Sequence, residues 1–459
     1  MFENKSAKHG DIAIGIDIGT TTISASVIDL TAKKQIDAFT VNYSANIISS
    51  DFSEQSVDVI INEAEMLLNK IHTQYKNIVS IGLTGQMHGI AYVDKDGNAI
   101  SNLMNWQDKR ADKSIFDGRS TCEIIKHITG EKIATGYGLA THFYNSKNDL
   151  VPADAAGFGS IMDILGMKLC GIKKPVIHTS VAASFGLFDL KNGCFMKEKC
   201  ALLGIDKNFL PEVTDESCVI GKWNGIPVSI AIGDNQASFL GSVKDHKKSI
   251  LVNIGTGSQT SAVCDFTENM KNAELRPLIE GKYLACGSAL CGGAAYSLLE
   301  KFFREYAKAS GIDEASQYET VNALALEAYN NKIECPIVDT TFGGTRADPS
   351  RRGSVTMINM HNFTPGALAL GFIEGMCSEL YSLCDGFCTD KEYIVASGGA
   401  VRKNKVLKNV IGDTFDMPVY LSGIKEEAAT GAALFGAFAS EKILYSDGFS
   451  DFINYKGDE

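Results

Sequence analysis

A turn close to the N-terminus, Asp17-Ile-Gly-Thr-Thr-Thr, has the composition of a phosphate-binding site. It joins two β-rich runs within residues 12–30, so the sequence predicts a hairpin. Glycine lets backbone N–H groups approach phosphate oxygens closely, and threonine hydroxyls add donors. Asp17 is a candidate ligand of Mg²⁺, bound through water. An ordinary polar turn without a ligand is the alternative. The candidate phosphate-binding residues here are Gly19, Thr20, Thr21 and Thr22.

The same pattern returns far along the chain, in the predicted hairpin of residues 249–265. Its turn contains Gly255, Thr256 and Gly257, and Asn253 stands where the first turn has its aspartate. Two similar hairpins are what a duplicated two-domain protein would give. The asymmetry suggests that only the first turn handles metal. A glycine-rich turn without a ligand is the alternative here too.

A carboxylate follows another predicted strand, Pro227 to Ile232, in the segment Gly-Asp-Asn-Gln that contains Asp234 and Asn235. The carboxyl ends of strands are where α/β proteins gather their sites. Asp234 there could act as general base toward a substrate hydroxyl, a role that contributes about 10²–10⁴-fold. The alternative is a turn or helix-capping aspartate.

Neutral hydrogen-bonding groups and an aromatic ring occur in two nearby segments, a mixture that suits a sugar or polyol. The first segment is Gln86-Met87-His88, and the second contains Trp106 and Asp108. Amides, imidazole and carboxylate would bind hydroxyls, while the aromatic face would cover C–H groups. In the alternative, the histidine is structural and Asp108 simply pairs with Arg110.

A pair of glycines, Gly398 and Gly399, follows a predicted strand at 392–396, with Asn404 shortly after. Glycines at such a junction permit flat packing of an adenine or ribose against the backbone. The spacing is not that of a dinucleotide-binding fingerprint, and no P-loop sequence occurs. A ligand-free strand–helix junction is the alternative.

Length and composition limit the class of protein in which these motifs occur. The chain has 459 residues, a net charge of −12 and no basic stripe, which argues against a nucleic-acid partner. No apolar stretch is long enough to span a membrane, so we expect a cytoplasmic protein. Scattered cysteines predict reduced thiols. Strands and helices alternate, and we expect a domain boundary near the polar stretch at 245, giving domains 1–245 and 246–459.

Together these segments resemble the FGGY family of carbohydrate kinases over nearly the whole chain. IGIDIGTTT is similar to the family's first phosphate motif, IGDNQA to its catalytic-aspartate motif and NIGTGS to its second phosphate motif. TGQMHG with NWQDKRAD resembles the sugar-binding stretch. ASGGAVRKN and EEAATGAALFGA resemble the adenosine region.

The resemblance implies an α/β fold of two ribonuclease-H-like, actin-like ATPase domains with a cleft between them. It implies ATP and Mg²⁺ as cofactors and a small sugar as substrate. Asp234 would accept the proton of a terminal primary hydroxyl as that oxygen attacks the γ-phosphoryl group. The resemblance leaves a homodimer open.

Within the family the likeness is greatest to the sedoheptulokinase branch, through Trp106-Gln-Asp, the stretch 154–188 and Phe342-Gly-Gly-Thr-Arg-x-Asp-Pro. This implies phosphorylation of sedoheptulose to sedoheptulose 7-phosphate. Xylulokinases share the Gln-Met-His segment, so a xylulose or other pentulose kinase is the second hypothesis. The family's usual Lys-x-x-Trp-Leu stretch is replaced at 139–148 by LATHFYNSKN, which bears on the exact sugar.

Two hypotheses of other classes use the same fold. An Hsp70- or actin-like ATPase would drive partner binding, but it would not need the Gln-Met-His and Trp-Gln-Asp segments. A non-catalytic sugar sensor would have no reason to keep Asp234 beside a sugar.

Overall fold

The computed structural model describes residues 9–48, 52–267, 270–312, 315–345, 348, 350–384, 386–445 and 449–456. Arg346 and Pro349, which belong to the branch-specific stretch noted above, lie outside these residues. No helix in the described part of the chain is long and apolar enough to cross a membrane.

The chain divides into two compact units, and neither is one continuous stretch. The first comprises Met1–Lys244, Arg276–Lys282 and Ile424–Ile453, and the second comprises Asp245–Leu275, Tyr283–Gly423 and Asn454–Glu459. The sequence-based domains 1–245 and 246–459 stay a prediction. The compact units change at a similar place, but they also assign two later segments to the first unit.

Regular elements cover most of the chain, and the hairpins and strands expected around the motifs are confirmed. The strands are β1 Ile12–Ile18, β2 Thr22–Asp29, β3 Lys34–Asn42, β4 Asn46–Ile48, β5 Ser53–Gln55, β6 Ile78–Gly85, β7 Ala91–Val93, β8 Leu103–Met104, β9 Ser114–Phe116, β10 Arg119–Ser120, β11 Gly157–Gly159, β12 Val176–His178, β13 Phe188–Asp189, β14 Cys194–Phe195, β15 Glu212–Thr214, β16 Val219–Trp223, β17 Ile226–Gly233, β18 Ser249–Ile254, β19 Ser258–Cys264, β20 Glu274–Pro277, β21 Tyr283–Ala289, β22 Ile337–Asp339, β23 Ser354–Thr356, β24 Tyr393–Ser397 and β25 Val419–Leu421. The helices are α1 Val57–Gln74, α2 Thr121–Thr129, α3 Gly138–Lys147, α4 Ile161–Cys170, α5 Thr179–Ala182, α6 Lys197–Leu202, α7 Asp234–Leu240, α8 Gly292–Ala309, α9 Tyr318–Asn330, α10 Pro365–Ser382, α11 Gly399–Lys403, α12 Lys405–Phe415 and α13 Glu427–Ala439.

The first unit is built on a six-stranded sheet in the order β16-β17-β6-β1-β2-β3. β1 pairs antiparallel with β2 and parallel with β6, and β6 pairs parallel with β17. Nearly every residue of β1 is buried, because both faces of the sheet are covered. The parallel pairing brings the carboxyl ends of β1, β6 and β17 to one edge.

One face of this sheet packs on α13 at very short range. A Cβ atom on Gly15 would lie 1.8 Å from the carbonyl oxygen of Ala429, and one on Gly82 would lie 1.7 Å from that of Ala432. The hydroxyls of Ser26 and Thr430 add a buried hydrogen bond of 2.8 Å. The expectation that EEAATGAALFGA belongs with the adenosine region stays a prediction. This helix packs in the first unit because glycine at the strand centres admits its backbone.

The other face of the sheet packs on amphipathic helices. Along β1, residues alternate between faces, so Ile14 and Ile16 point away from α13 into the main core of the unit. That core includes the apolar stripe of α1, whose N-terminus is capped by the Ser56 hydroxyl accepting from the N–H of Val59.

The second unit repeats this topology. Its sheet has the order β20-β21-β19-β18-β24-β25. β18 pairs antiparallel with β19 and parallel with β24, as β1 does with β2 and β6. The duplication that the two hairpins predicted is therefore present in the strand order.

The core of the second unit contains α10 and several cysteines. Cys384 and Cys388 are joined as a disulfide, and their Cα atoms are 5.8 Å apart. The prediction of reduced thiols is therefore wrong for this pair. Their separation of four residues, just beyond the end of α10, brings the sulfur atoms to one side of the chain.

Candidate functional site

Three predicted site residues meet at one edge of the first unit's sheet. In the strand register Ile18 lies beside Gly85, and Gly85 lies beside Gly233. Asp17, Gln86 and Asp234 therefore stand at the carboxyl ends of adjacent parallel strands. This is the edge where ligand sites of open α/β sheets form.

The carboxylate of Asp17 lies in an acidic and partly buried environment. Burial, followed by the nearby carboxylates of Asp234 and Glu426, raises the pKa of Asp17 to about 7. No hydrogen bond to the Asp17 carboxylate is found among the described residues. Glu426 is held by the Thr40 hydroxyl, which donates to its Oε1 at 2.7 Å.

These carboxylates fit a small divalent cation. Mg²⁺ prefers oxygen ligands and usually takes one or two carboxylates together with water and substrate phosphates. Within the described residues, no group of three or more His, Cys, Asp or Glu side chains could hold a metal alone. A partly buried aspartate near other carboxylates therefore suits a Mg²⁺ site in which the protein supplies only some of the ligands. Water and substrate phosphates would supply the others.

Asp234 begins α7 and has its own set of partners. Burial raises its pKa, while the guanidinium of Arg276 and the N–H groups of Asn235 act in the opposite direction. The side-chain amide of Asn235 donates to Asp234 Oδ1 at 2.7 Å. The preceding Gly233 N–H donates to the Ser180 hydroxyl oxygen at 3.2 Å, which fixes the end of the strand.

Arg276 was missed by the sequence analysis. It is buried, and its backbone neighbour Pro277 accepts a buried hydrogen bond of 2.9 Å from Gln236 Nε2 on α7. The helix that carries Asp234 therefore also fixes the segment that carries Arg276. The arginine lies far from Asp234 in sequence and in no recognisable motif, so only the folded chain reveals it.

Gln86 lies beside a second glutamine at the site edge. Its Nε2 donates to Gln55 Oε1 at 2.9 Å, and its backbone N–H donates to the Ile18 carbonyl oxygen at 2.8 Å. Gln86 Oε1 is buried and has no hydrogen-bond partner among the described residues, and the same holds for Nδ2 of Asn105 in the second sugar-type segment. Buried polar atoms normally find partners, so these two atoms are suited to ligand hydroxyls.

His88 is held in a sparsely populated backbone conformation, with φ of 73°. Its N–H donates to the Ser184 hydroxyl oxygen at 3.1 Å, and its Nδ1 lies 2.9 Å from the Ser184 carbonyl oxygen. The imidazole stacks on Tyr137 with the ring centroids 4.5 Å apart. Such strain persists only where surrounding contacts hold it, and it is common at ligand sites.

Met87 and Trp106 connect the sugar-type segments to the other motifs. Met87 is buried, and its Sδ lies 3.8 Å from the amide nitrogen of Asn235. Trp106 is 47% exposed, and its indole N–H donates to the Thr20 hydroxyl oxygen at 3.0 Å. The structure therefore brings the sugar-type segments together with both the catalytic-aspartate motif and the first phosphate turn.

Asp108 is fully buried, and its oxygens are occupied. They accept from the backbone and side chain of Arg110 at 2.9 Å and from the Ser53 N–H at 3.1 Å. Arg110 also donates to Glu54 and to Asn145, which lies in the segment that departs from the family pattern. The geometry favours the structural alternative for Asp108, and its contact with sugar stays a prediction.

Hydrogen bonds from neighbouring residues fix the backbone of the first phosphate turn. The Gly19 N–H donates to the Thr22 carbonyl oxygen at 2.9 Å, and the Tyr43 hydroxyl donates to the Gly19 carbonyl oxygen at 2.6 Å. Gln55 Nε2 donates to the Thr20 carbonyl oxygen at 2.8 Å. Thr21, at the tip, is exposed.

The second phosphate turn belongs to the second unit and is built into the start of α8. The Gly255 N–H donates to the Gly257 carbonyl oxygen, and the Gly255 and Thr256 carbonyl oxygens accept from the N–H groups of Gly293 and Ala294, all at 2.9 Å. Gly255 and Thr256 are exposed and line a cavity.

This cavity has a volume of about 880 Å³ and lies within the second unit. Gly398 precedes the lining residue Gly399; it has φ of 95°, and a Cβ atom on it would lie 2.4 Å from the Ile254 carbonyl oxygen. Gly399 faces open space. The cavity is lined by Gly255, Thr256, Gly293, Ala294, Tyr296, Ser297, Ser316, Tyr318, Glu319, Asn322, Met376, Gly399, Ala400, Lys403, Asn404 and Leu407.

Comparison with known proteins identifies the family. Residues 12–241 match the N-terminal domain of the FGGY family of carbohydrate kinases, and residues 251–440 match its C-terminal domain. The chain belongs to the FGGY family of carbohydrate kinases. It is therefore an enzyme, an ATP-dependent sugar kinase, as the resemblance implied.

Individual relatives agree with this assignment. The chain is 26% identical to sedoheptulokinase of Mus musculus, over 92% of this chain and 96% of that protein. Its fold is similar to that of gluconate kinase from Lactobacillus acidophilus, with a TM-score of 0.83, 19% identity, and 97% and 92% of the two chains covered. Xylulose kinase of the same organism gives a TM-score of 0.81 at 19% identity, over 97% and 93%. The predicted two-domain fold class is confirmed.

Several residues near the sites of this FGGY kinase were not identified from the sequence. Tyr137 and Ser184 hold His88, and they come from a loop and a helical turn without a motif. Gly293 could have been noticed, because a Gly-Gly pair begins a helical pattern there. Asn322 lies in the middle of α9, where a single asparagine carries no recognisable spacing.

Proposed function

We propose that this kinase transfers the γ-phosphoryl group of ATP to the terminal primary hydroxyl of a ketose, sedoheptulose, giving sedoheptulose 7-phosphate. The observation that carries the proposal is the edge where Asp234 and Gln86 end adjacent parallel strands. Around it lie side chains that suit a polyhydroxy substrate, and the murine sedoheptulokinase aligns over almost its whole length.

Asp234 is the general base in this proposal. Burial raises its pKa, which brings a carboxylate nearer to the value of an effective base at neutral pH. The Asn235 amide orients the carboxylate by donating to its Oδ1 at 2.7 Å, and the substrate hydroxyl would approach this oriented carboxylate. The guanidinium of Arg276 acts in the opposite direction, because its positive charge favours the ionised carboxylate and lowers the pKa of Asp234.

Asp17 is the proposed ligand of Mg²⁺, bound directly or through water. When bound, the ion would neutralise charge on the phosphate oxygens that leave with ADP. The carboxylate suits this role because it has no hydrogen bond within the described residues and lies near Asp234 and Glu426.

The two glycine–threonine turns are the proposed phosphate contacts, through backbone N–H groups and hydroxyls. Thr20 and Thr21 offer hydroxyls in the first unit, while Gly255 and Thr256 are exposed in the second. Gly398, Gly399 and Asn404 are proposed to form the adenosine side of the second unit's cavity. Phosphoryl transfer depends mainly on positioning and charge neutralisation, which these groups supply.

A pentulose such as xylulose is the second candidate substrate. The Gln86-Met87-His88 segment resembles that of xylulokinases as well. In addition, α3 presents Asn145 to Arg110 at 2.7 Å in the segment that departs from the family pattern. Because residues 139–148 differ from the family pattern and lie beside the sugar-type segments, they would change which ketose fits.

The deciding experiment measures ADP release by the purified protein with Mg-ATP and a panel of acceptors. The panel contains sedoheptulose, xylulose, ribulose, fructose, glycerol, gluconate and no sugar. A rate confined to sedoheptulose supports the proposal. A preference for xylulose keeps the mechanism and replaces the substrate. Steady hydrolysis that no sugar stimulates would contradict the proposed sugar site.

A further inference from the structure

Asn404, the residue expected to bind adenosine, has its side chain occupied by the protein. Its Oδ1 accepts from the N–H groups of Val406 at 3.0 Å and Leu407 at 3.4 Å, so it caps the N-terminus of α12. Its Nδ2 donates to Asn322 Oδ1 at 2.9 Å. Little of Asn404 is left for a ligand.

The helix cap decides the orientation of the neighbouring amide as well. Backbone N–H groups can only donate, so Asn404 must turn its oxygen to α12 and its nitrogen to Asn322. Asn322 must then present its oxygen to Asn404. The Tyr296 hydroxyl, 2.9 Å from the same oxygen, is therefore the donor in that pair.

This leaves one polar group of Asn322 without a role in the protein. Its oxygen accepts from Tyr296 and Asn404, while no hydrogen bond from its Nδ2 is found in the described part of the chain. Asn322 is partly buried and lines the 880 Å³ cavity. The amide nitrogen offers two N–H donors and no acceptor.

The surroundings of this amide suit a flat aromatic ligand. The rings of Tyr296 and Tyr318 are tilted by only 30°, with their centroids 6.3 Å apart. Burial raises the pKa of Tyr296, so its hydroxyl stays protonated and continues to donate. The hydroxyls of Ser297 and Tyr318 lie 2.7 Å apart and occupy each other. Asn322 Nδ2 is thus the side-chain amide donor that these neighbours leave unused.

We infer that Asn322 holds the nucleobase, its amide N–H donating to a ring nitrogen of adenine, and that Asn404 is the positioning residue that fixes this amide. Adenine presents such acceptors along its edge, which matches a group that can only donate. The inference rests on the proposed placement of adenosine in this cavity, and it adds a residue that the family motifs did not indicate.

Asn322→Asp is the test, because aspartate has nearly the same shape and still accepts from Tyr296 and Asn404. The substitution removes only the donors and places a carboxylate against the lone pair of the base. We expect the dissociation constant of ADP, measured by isothermal titration calorimetry, to rise about 10- to 100-fold. The melting temperature should change little, because the variant keeps both hydrogen bonds that Asn322 Oδ1 accepts.

Two variants control this result. Asn330→Asp adds the same charge about 12 Å further along the same helix, and it should leave ADP binding unchanged. Asn404→Asp keeps the cap oxygen but sets a carboxylate against Asn322 Oδ1, so it should lower the melting temperature as well as ADP affinity. Equal ADP affinity of Asn322→Asp and the wild type would overturn the inference.

Nucleotide analogues distinguish a contact of Asn322 with the base from a contact with the ribose. The penalty in Asn322→Asp should be the same for ADP and 2′-deoxy-ADP. A penalty that disappears with 2′-deoxy-ADP would mean that the amide contacts the ribose, and the assignment to the base would be wrong. If the folded wild type bound no ADP at all, the proposed nucleotide site would fail, and the role of Asn322 with it.

Discussion

The two glycine–threonine turns occupy the same place in the two sheets, but the first follows an aspartate and the second follows an asparagine. Asp17 lies beside Thr84 on the parallel neighbour of β1, and Asn253 lies beside Ser397 on the parallel neighbour of β18. Asn253 donates to the Ser397 hydroxyl at 2.9 Å. The Asp17 carboxylate instead has other carboxylates nearby and no hydrogen bond within the described residues.

The comparison shows how a duplicated element can acquire two tasks. The Asn253 amide is uncharged and hydrogen-bonded to Ser397, so its burial is not unfavourable. The second turn can then bind a ligand only through its backbone N–H groups and hydroxyls. A carboxylate near other carboxylates is unfavourable until a cation arrives, so the first turn is arranged for charge. The acid–base and metal chemistry should therefore depend on the first unit, and nucleotide affinity should depend on the second.

The largest effect should follow Asp234→Asn, which removes the proposed base next to the first turn. We expect kcat to fall about 10²–10⁴-fold while the KM for sugar changes little, because the amide keeps the shape but cannot take the proton. Steady-state kinetics measures both constants. Asp96→Asn, at an exposed site of the same unit, is the matched control. Retained turnover would mean that the base lies elsewhere.

Asp17→Asn should give the next largest effect, since it makes the first turn resemble the second. We expect kcat to fall on the order of 10²-fold, because an amide neutralises less of the charge on a bound cation. A titration of rate against Mg²⁺ should show a higher half-saturating concentration. An unchanged Mg²⁺ dependence would remove Asp17 from the metal site.

Asn253→Asp makes the reciprocal change in the second turn. The Ser397 hydroxyl can still donate to the new carboxylate, so the fold should persist, but a negative charge now faces phosphate. We expect the KM for ATP to rise roughly tenfold, with little change in the Mg²⁺ dependence. If this variant bound Mg²⁺ more tightly and worked faster, the two turns would be interchangeable and the contrast between them would be lost.

His88→Ala should have the smallest effect and should be confined to the sugar. Loss of the imidazole removes its hydrogen bond to Ser184 and its stacking on Tyr137, so we expect the KM for sugar to rise about 3- to 10-fold. The KM for ATP serves as the internal control and should not move. An unchanged KM for sugar would leave His88 a structural role only.

The sequence predicted the local elements well because their signals are local. The glycine–threonine turns predicted both hairpins, and Asp234 was expected at the end of a strand because an apolar run precedes it. Arg276 could not be predicted, since its importance comes from a long-range approach to α7. Asn322 was missed for the same reason: its role depends on which way Asn404 turns, and the cap on α12 decides that.

The packing of α13 could not be predicted from the sequence either. The signal lay in Gly15 and Gly82, which interrupt apolar strands where a backbone comes close. A glycine in a strand indicates a close neighbour but does not say which one. Here the neighbour comes from more than 340 positions later in the chain, and no local pattern connects them.

This long separation in sequence affects how the protein folds during its synthesis. A nascent chain leaves the ribosome from its N-terminus, and the sheet that carries Asp17 and Asp234 is synthesised long before Glu427–Ala439. Until that helix emerges, the glycine-lined face of the sheet lacks the backbone that packs on Gly15 and Gly82. The first unit therefore completes its core only after almost all of the second has been translated, and the site's chemistry cannot be assembled before the chain is nearly finished.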